Sequence, residues 1–184
     1  MQFSIVRKDV TGSTNEDLRK LADEGAPEGT VVVARSQRAG RGQWGRVWMS
    51  PGGGLYFSLL LRPRMPESEW AQLSPRIAES VAFVVRSECD VTDDVIWVKL
   101  PNDVVCAQGK ICGISLEAKN GSIVVGVGVN VYQPTRPIIT DGRNEPAYMR
   151  DLGLPSLPSG EYLDRLLEQM LTAIAETVEA AQEA

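Results

Sequence analysis

Ile111-Cys112-Gly113-Ile114-Ser115-Leu116-Glu117-Ala118-Lys119-Asn120-Gly121-Ser122-Ile123-Val124-Val125-Gly126-Val127-Gly128-Val129-Asn130-Val131 is a pair of apolar, β-branched runs broken by one Asn-Gly dipeptide. Asn and Gly tolerate positive φ, so the dipeptide predicts a tight turn and an antiparallel hairpin of strands 111–118 and 122–131. Two more strand-like runs precede it, 95–99 and 104–107, separated by Pro101-Asn102-Asp103 and followed by the turn signal Gln108-Gly109. Four consecutive strands joined by short turns imply a sheet that is largely antiparallel.

Working outward, residues 3–6, 30–34 and 55–61 read as further strands, the last two flanking a glycine- and arginine-rich loop. Ser13-Thr14-Asn15-Glu16 fits a capping box and predicts a helix over 14–22. Leu73, Ile77, Val81, Val84 and Val85 recur at helical spacing within 69–88, and Pro75 places the start of the regular helix near it. Residues 132–160 are rich in proline and glycine and predict irregular structure with a short helix near 147–152. Ser159 can cap a final amphipathic helix with the apolar stripe Tyr162, Leu163, Leu166, Leu167, Met170, Leu171, Ile174 and Val178, which reads as core. The expected class is α+β: a mixed, largely antiparallel sheet with helices packed on one face.

With 184 residues and 43% hydrophobic side chains, the chain is expected to form a single domain, 1–184, with a core of ordinary size. The net charge of −5 opposes general affinity for nucleic acid or an anionic membrane. The chain contains no histidine, and Cys89, Cys106 and Cys112 form no CxxC pair, which excludes a histidine-based triad and a zinc ribbon. The thiols read as reduced and cytosolic, and no apolar run approaches the roughly 20 residues of a membrane span. The expectation is a soluble cytoplasmic protein, and a homodimer is compatible with the sequence.

Charge is uneven in one place. Between Glu28 and Glu67 there is no acidic residue, whereas the same interval holds Arg35, Arg38, Arg41, Arg46, Arg62 and Arg64. Within it lies Gln37-Arg38-Ala39-Gly40-Arg41-Gly42-Gln43-Trp44-Gly45-Arg46-Val47-Trp48-Met49-Ser50-Pro51. Glycines let the backbone close over a ligand, arginines neutralise phosphate, and an aromatic ring can stack on a base, so this loop reads as a lid over a nucleotide.

The loop resembles the signature Gly-Arg-Gly-x-x-Gly-Arg-x-Trp of the biotin protein ligases. Ser50-Pro51 and Leu55-Tyr56-Phe57-Ser58 follow it as in that family. Ser13-Thr14-Asn15, Lys99-Leu100-Pro101-Asn102-Asp103, Lys110-Ile111-Cys112-Gly113-Ile114 and 126–131 are similar to further blocks of the family, in the same order. The resemblance implies the biotin/lipoate ligase catalytic-domain fold and a two-step reaction. Biotin and ATP form biotinyl-5'-AMP with Mg2+, and the biotinyl group then passes to a lysine of a biotin carboxyl carrier protein domain. By resemblance, Lys110 and Arg41 carry the chemistry. Ser13, Thr14, Asn15, Gln37, Gly40, Arg41, Gly42, Gln43, Lys110 and Gly113 would meet biotin. Arg41, Arg46, Trp48, Lys99, Asn102, Asp103 and Asn130 would meet ATP, with Asp103 on the metal side. Read without the family, Lys110 is an exposed hairpin lysine, Ser13 an N-cap, Asn102 a turn former, and Cys106 and Cys112 small core residues.

Three departures from the family pattern bear on function. Gln43 stands where arginine is frequent, which implies looser retention of the acyl-adenylate, and Leu100 replaces a tryptophan. The C-terminal small β-barrel domain and the N-terminal DNA-binding domain of bacterial members are expected to be absent. The competing readings are a lipoate or octanoyl transferase and a non-catalytic biotin-binding module.

Overall fold

A computed structural model describes residues 1–42, 45–135, 138, 145–154 and 160–183. Seven strands form one sheet: β1 (Ser4–Thr11), β2 (Thr30–Gln37), β3 (Leu55–Leu61), β4 (Ile96–Lys99), β5 (Asp103–Cys106), β6 (Gly109–Lys119) and β7 (Ser122–Val129), in the order β1-β2-β3-β7-β6-β5-β4. Only β1 and β2 run parallel; every other neighbouring pair is antiparallel, as the turn signals predict. Asn120 and Gly121 both have positive φ, at 49° and 70°, and join Lys119 directly to Ser122. The preceding turn is shifted by one residue from expectation. Cys106 pairs with Gly109, so Ala107 and Gln108 form the turn and Gly109 opens β6.

Helix α1 (Thr14–Asp23) follows β1, α2 (Leu73–Cys89) follows a 3-10 turn at Glu67–Gln72, and α3 (Gly160–Glu183) ends the described chain. The irregular segment contains the expected short helix as a 3-10 turn, Met149–Leu152. The Ser159 cap lies outside the described residues. Helix α2 starts at Leu73, ahead of Pro75, which occupies the first turn, where its missing N–H has no intrahelical partner to lose. β1 is longer than residues 3–6 because its parallel pairing with β2 continues to Thr11↔Gln37.

The two long helices pack on one face, as expected, over a core that includes Val31, Phe57, Leu59, Ile77, Val81, Ile114, Leu166 and Met170. One correction applies to the shared face. Alternate residues of the same strands, Val32, Leu60 and Val124, pack instead with Leu18 of α1. Because side chains alternate across a sheet, α1 lies on the opposite face. That second face is only partly covered, and it carries the candidate site.

Candidate active site

Cross-strand pairing builds the floor of a cleft from small residues. Ser58 of β3 pairs with Gly126 of β7, which pairs with Ser115 of β6. One row along, Tyr56 pairs with Gly128, Gly128 with Gly113, and Gly113 with Asp103. Glycines in mid-strand add nothing to the ladder but leave room above the sheet. A cleft opens there, bounded by the first turn of α1, by Arg41, Gly42 and Trp48 of the loop, and by Asn102 and Lys110.

A bulge delivers Lys110 to this cleft. Val104 pairs with Cys112 whereas Val105 pairs with Lys110, so Ile111 is an extra residue on β6. Ile111 and Cys112 both enter the main core. Uninterrupted alternation from Gly113 would turn Lys110 toward that core; the extra residue returns it to the cleft side. Its backbone is fixed from both sides: Lys110 N donates to Glu145 O at 2.7 Å, and Lys110 O accepts from Ala147 N at 2.9 Å and Asn130 Nδ2 at 3.0 Å. The ammonium lies 2.7 Å from Asp103 Oδ1 as a charge pair without hydrogen-bond alignment, and 5.1 Å from the centre of the Trp48 ring.

Trp48 lies across the glycine floor. A Cβ built on Gly128 would stand 2.3 Å from Trp48 Nε1, and one on Gly113 would stand 3.0 Å from both the Trp48 ring and Lys110 Nζ. The indole N–H is buried with no hydrogen-bond partner among the described residues. The loop is closed by Trp48 N donating to Gly40 O and Gly42 N donating to Arg46 O, each at 2.8 Å. Gly40 is required by proximity, since a Cβ there would fall 2.4 Å from Trp48 O and 2.7 Å from Ser50 Oγ. Arg41 is half exposed and pairs with Glu16 at 2.9 Å.

The first turn of α1 supplies the polar wall. Ser13 occupies the N-cap in an extended conformation, but its side chain makes no capping bond, so the predicted capping box does not form. Gln37 takes over that role: its Oε1 accepts from Thr14 N at 2.8 Å and its Nε2 donates to Ser50 Oγ at 2.7 Å. Glu16, the other half of the predicted box, is the partner of Arg41. Asn15 is buried, and its carboxamide lies over Gly126. Its Nδ2 donates to Glu117 Oε1 at 2.7 Å and Ser115 Oγ at 3.2 Å, and its Oδ1 accepts from Ser58 Oγ at 2.6 Å. Arg19 pairs with Glu117 from behind.

Of the residues expected in the site, Ser13, Thr14, Asn15, Gln37, Arg41, Gly42, Trp48, Asn102, Lys110 and Gly113 line the cleft. Gly40 and Asp103 stand directly behind it, holding the loop and Lys110. Asn102 is also a structural tie, its Nδ2 donating to Ile114 O at 2.7 Å. Three residues lie apart from the cleft lining. Arg46 and Lys99 are exposed, the latter on β4 opposite Asp103, and Asn130 is buried against the backbone of Lys110. Gln43 lies outside the described residues. The arginine-rich interval divides as well. Arg62 and Arg64 follow the far end of β3, where Arg62 binds Glu28 and Ala26, so of its six arginines Arg41 alone lines the cleft.

Sequence reading did not single out Ser115 or Glu117 as site residues, whereas the alternation of small and β-branched residues from Gly126 to Asn130 already pointed to close approach of a ligand on the glycine face. Ser115 becomes visible only through the register that places it beside Gly126 and Ser58. Burial pushes the Cys112 thiol far above its ordinary range, and burial with help from nearby Glu88 pushes Cys89 up to about 11. Both are core residues, in surroundings that disfavour the thiolate. Among the described residues there is no cluster of three metal-ligating side chains, and no helix is long and apolar enough to cross a membrane.

Residues 8–133 match the biotin/lipoate A/B protein ligase family. The chain is 34% identical over 168 residues to the bifunctional ligase/repressor BirA of Bacillus subtilis (strain 168), a match that covers 88% of this chain and 49% of that protein. It is 33% identical over 172 residues to the biotin--[acetyl-CoA-carboxylase] ligase of Mycobacterium tuberculosis, covering 92% of this chain and 62% of the relative. Its fold is similar to that of the biotin protein ligase from Aquifex aeolicus in complex with biotin and ATP, with a TM-score of 0.83 and 28% identity over 98% of this chain and 72% of that one. The chain thus spans about half the length of the Bacillus relative. Every residue lining the cleft falls inside the matched segment, and the chain belongs to the biotin/lipoate A/B protein ligase family.

Proposed function

We propose that this chain joins biotin to ATP as biotinyl-5'-AMP and passes the biotinyl group to a lysine of a biotin carboxyl carrier protein domain. The observation that carries this reading is the bulge at Ile111. It sets a lysine ammonium at the junction of a polar floor and an arginine-bearing loop, where two anions have to meet. In the first step a carboxylate oxygen of biotin attacks the α-phosphorus of ATP, and pyrophosphate leaves. Lys110 offsets the charge that gathers on the carboxylate and the α-phosphate oxygens, Asp103 fixes the ammonium at one point, and Arg41 lies beside the phosphates. In the second step the carrier amine attacks the acyl carbon, the C–O bond to phosphate breaks, and AMP leaves carrying its electron pair. The chain supplies no nucleophile, consistent with a sequence lacking histidine and with core-bound thiols.

A magnesium ion held mainly by phosphate oxygens and water needs few protein ligands, and a single carboxylate fits that requirement. Asp103 is the residue that would hold it, and the ion's chemistry would be further neutralisation of the phosphates. A reaction that consumes ATP fits a cytoplasmic protein.

The floor favours biotin over a lipoyl or octanoyl group. Ser13, Thr14, Ser115 and Asn15 present hydroxyl and carboxamide groups, which suit a ring bearing N–H and C=O groups and leave an aliphatic chain unmatched. Pyrophosphate release measured with ATP and biotin tests the reading: release that needs biotin is the expected result. Release with lipoate or octanoate in its place identifies the other ligase type, and biotin binding without any release identifies a non-catalytic module.

A further inference from the structure

Asn15 is the most constrained polar group of the cleft, and the constraint comes from behind it. A carboxylate can only accept hydrogen bonds, so Glu117, 2.7 Å from the Asn15 amide, must face the NH2 end. The other carboxamide end therefore turns to Ser58 Oγ, 2.6 Å away, above the floor at Gly126. Both amide hydrogens are used inside the protein, on Glu117 and Ser115. What Asn15 can offer a ligand is the second lone pair of Oδ1. Glu117 is itself held by Arg19 and is only partly exposed.

Resting on the biotin reading above, we propose that Glu117 is a positioning residue that sets ligand specificity: by fixing which way the Asn15 carboxamide faces, it makes this part of the floor a hydrogen-bond acceptor for a ring N–H. A cyclic urea supplies such a donor; a dithiolane or an alkyl chain does not. Those ligands leave the second lone pair of Oδ1 unused and gain no hydrogen bond there, whereas a ring N–H gains one, which is how a polar site discriminates more strongly than an apolar pocket can. Glutamine at position 117 could both donate and accept, so it would allow the Asn15 carboxamide to turn.

The test compares biotin with biotin methylated on either ring nitrogen, by calorimetric titration of the full chain, which reads binding without turnover. The wild type is expected to bind biotin at least about 100-fold more tightly than one of the two methylated forms. In Glu117→Gln that ratio is expected to fall about tenfold, as for loss of one hydrogen bond to a charged partner, while KM for ATP is unchanged. Arg19→Met keeps the acceptor and is expected to hold the ratio within about threefold of wild type, a smaller effect than for the charged partner itself. Equal binding of biotin and both methylated forms by the wild type overturns the inference, and does so without any variant. An unchanged ratio in a folded Glu117→Gln protein also overturns it, as does an equal loss in Arg19→Met, which would mark the ion pair as structural. Absence of any biotin binding by the wild type is a different failure, that of the proposed function.

Discussion

At the scale of single residues, Lys110 and Asp103 form a partly buried pair in which each member stabilises the other's position. Lys110→Ala removes the ammonium aimed at the reacting centre and is expected to lower biotin-dependent pyrophosphate release by about 100-fold or more. A thermal melt should also show destabilisation, because Asp103 Oδ1 is buried and loses its charge partner. The cysteines give an opposite expectation. With burial holding Cys89 and Cys112 protonated and Cys106 equally enclosed, none should be alkylated by iodoacetamide in the native protein near pH 8. Cys112→Ala should leave acyl transfer intact; loss of transfer in a folded protein would point to a thioester. Lys110 was legible from the blocks around it, as were Arg41 and the first turn of α1. The partners that spend the hydrogen bonds of Gln37 and Asn15 were not, because they come from other elements 13 to 102 residues away in sequence, and the fold has to be known before they meet.

At the scale of elements, the bulge in β6 and the closed loop decide the geometry. Two adjacent apolar residues, Ile111 and Cys112, interrupt a strict alternation, which is the trace of the bulge in the sequence. It passes easily for an ordinary buried strand, so the aim of Lys110 follows only from the register. The Asn120-Gly121 turn, by contrast, was fully determined locally, since its two positive φ values are what that dipeptide favours. The capping box was misread because the expected partners had stronger ones elsewhere: Glu16 pairs with Arg41 and Gln37 caps Thr14. Gly40→Ala should open the loop, because the added methyl meets backbone and hydroxyl oxygens. The expected result is a fall of about tenfold or more in adenylation, as for misplaced substrate-positioning groups, with the melting temperature nearly unchanged; an unaffected rate would show that loop closure at Trp48 is dispensable. Gln43→Arg, suggested by the sequence alone, should slow release of biotinyl-AMP in a trapping assay.

At the scale of the whole molecule, the sheet separates stability from function. The face under α2 and α3 buries most of the apolar side chains, while the face under α1 keeps a small cluster around Leu18 and leaves space for the cleft. Composition and periodicity revealed the first face but not the second, since the stripe on α3 is long and α1 contributes one fully buried leucine to a cluster of four. Met170→Ala should cost about 2–5 kcal/mol without changing KM for biotin, whereas Leu18→Ala, at similar cost, should also raise that KM because α1 carries Ser13, Thr14 and Asn15. Denaturant melts paired with biotin titrations would separate the two. The most direct test of the account as a whole is mass-spectrometric detection of a modified lysine on a biotin carboxyl carrier domain incubated with this chain, biotin, ATP and Mg2+. The account predicts a biotinyl adduct that needs ATP and is lost in Lys110→Ala; an unmodified carrier, or an adduct formed equally well by Lys110→Ala, would contradict it.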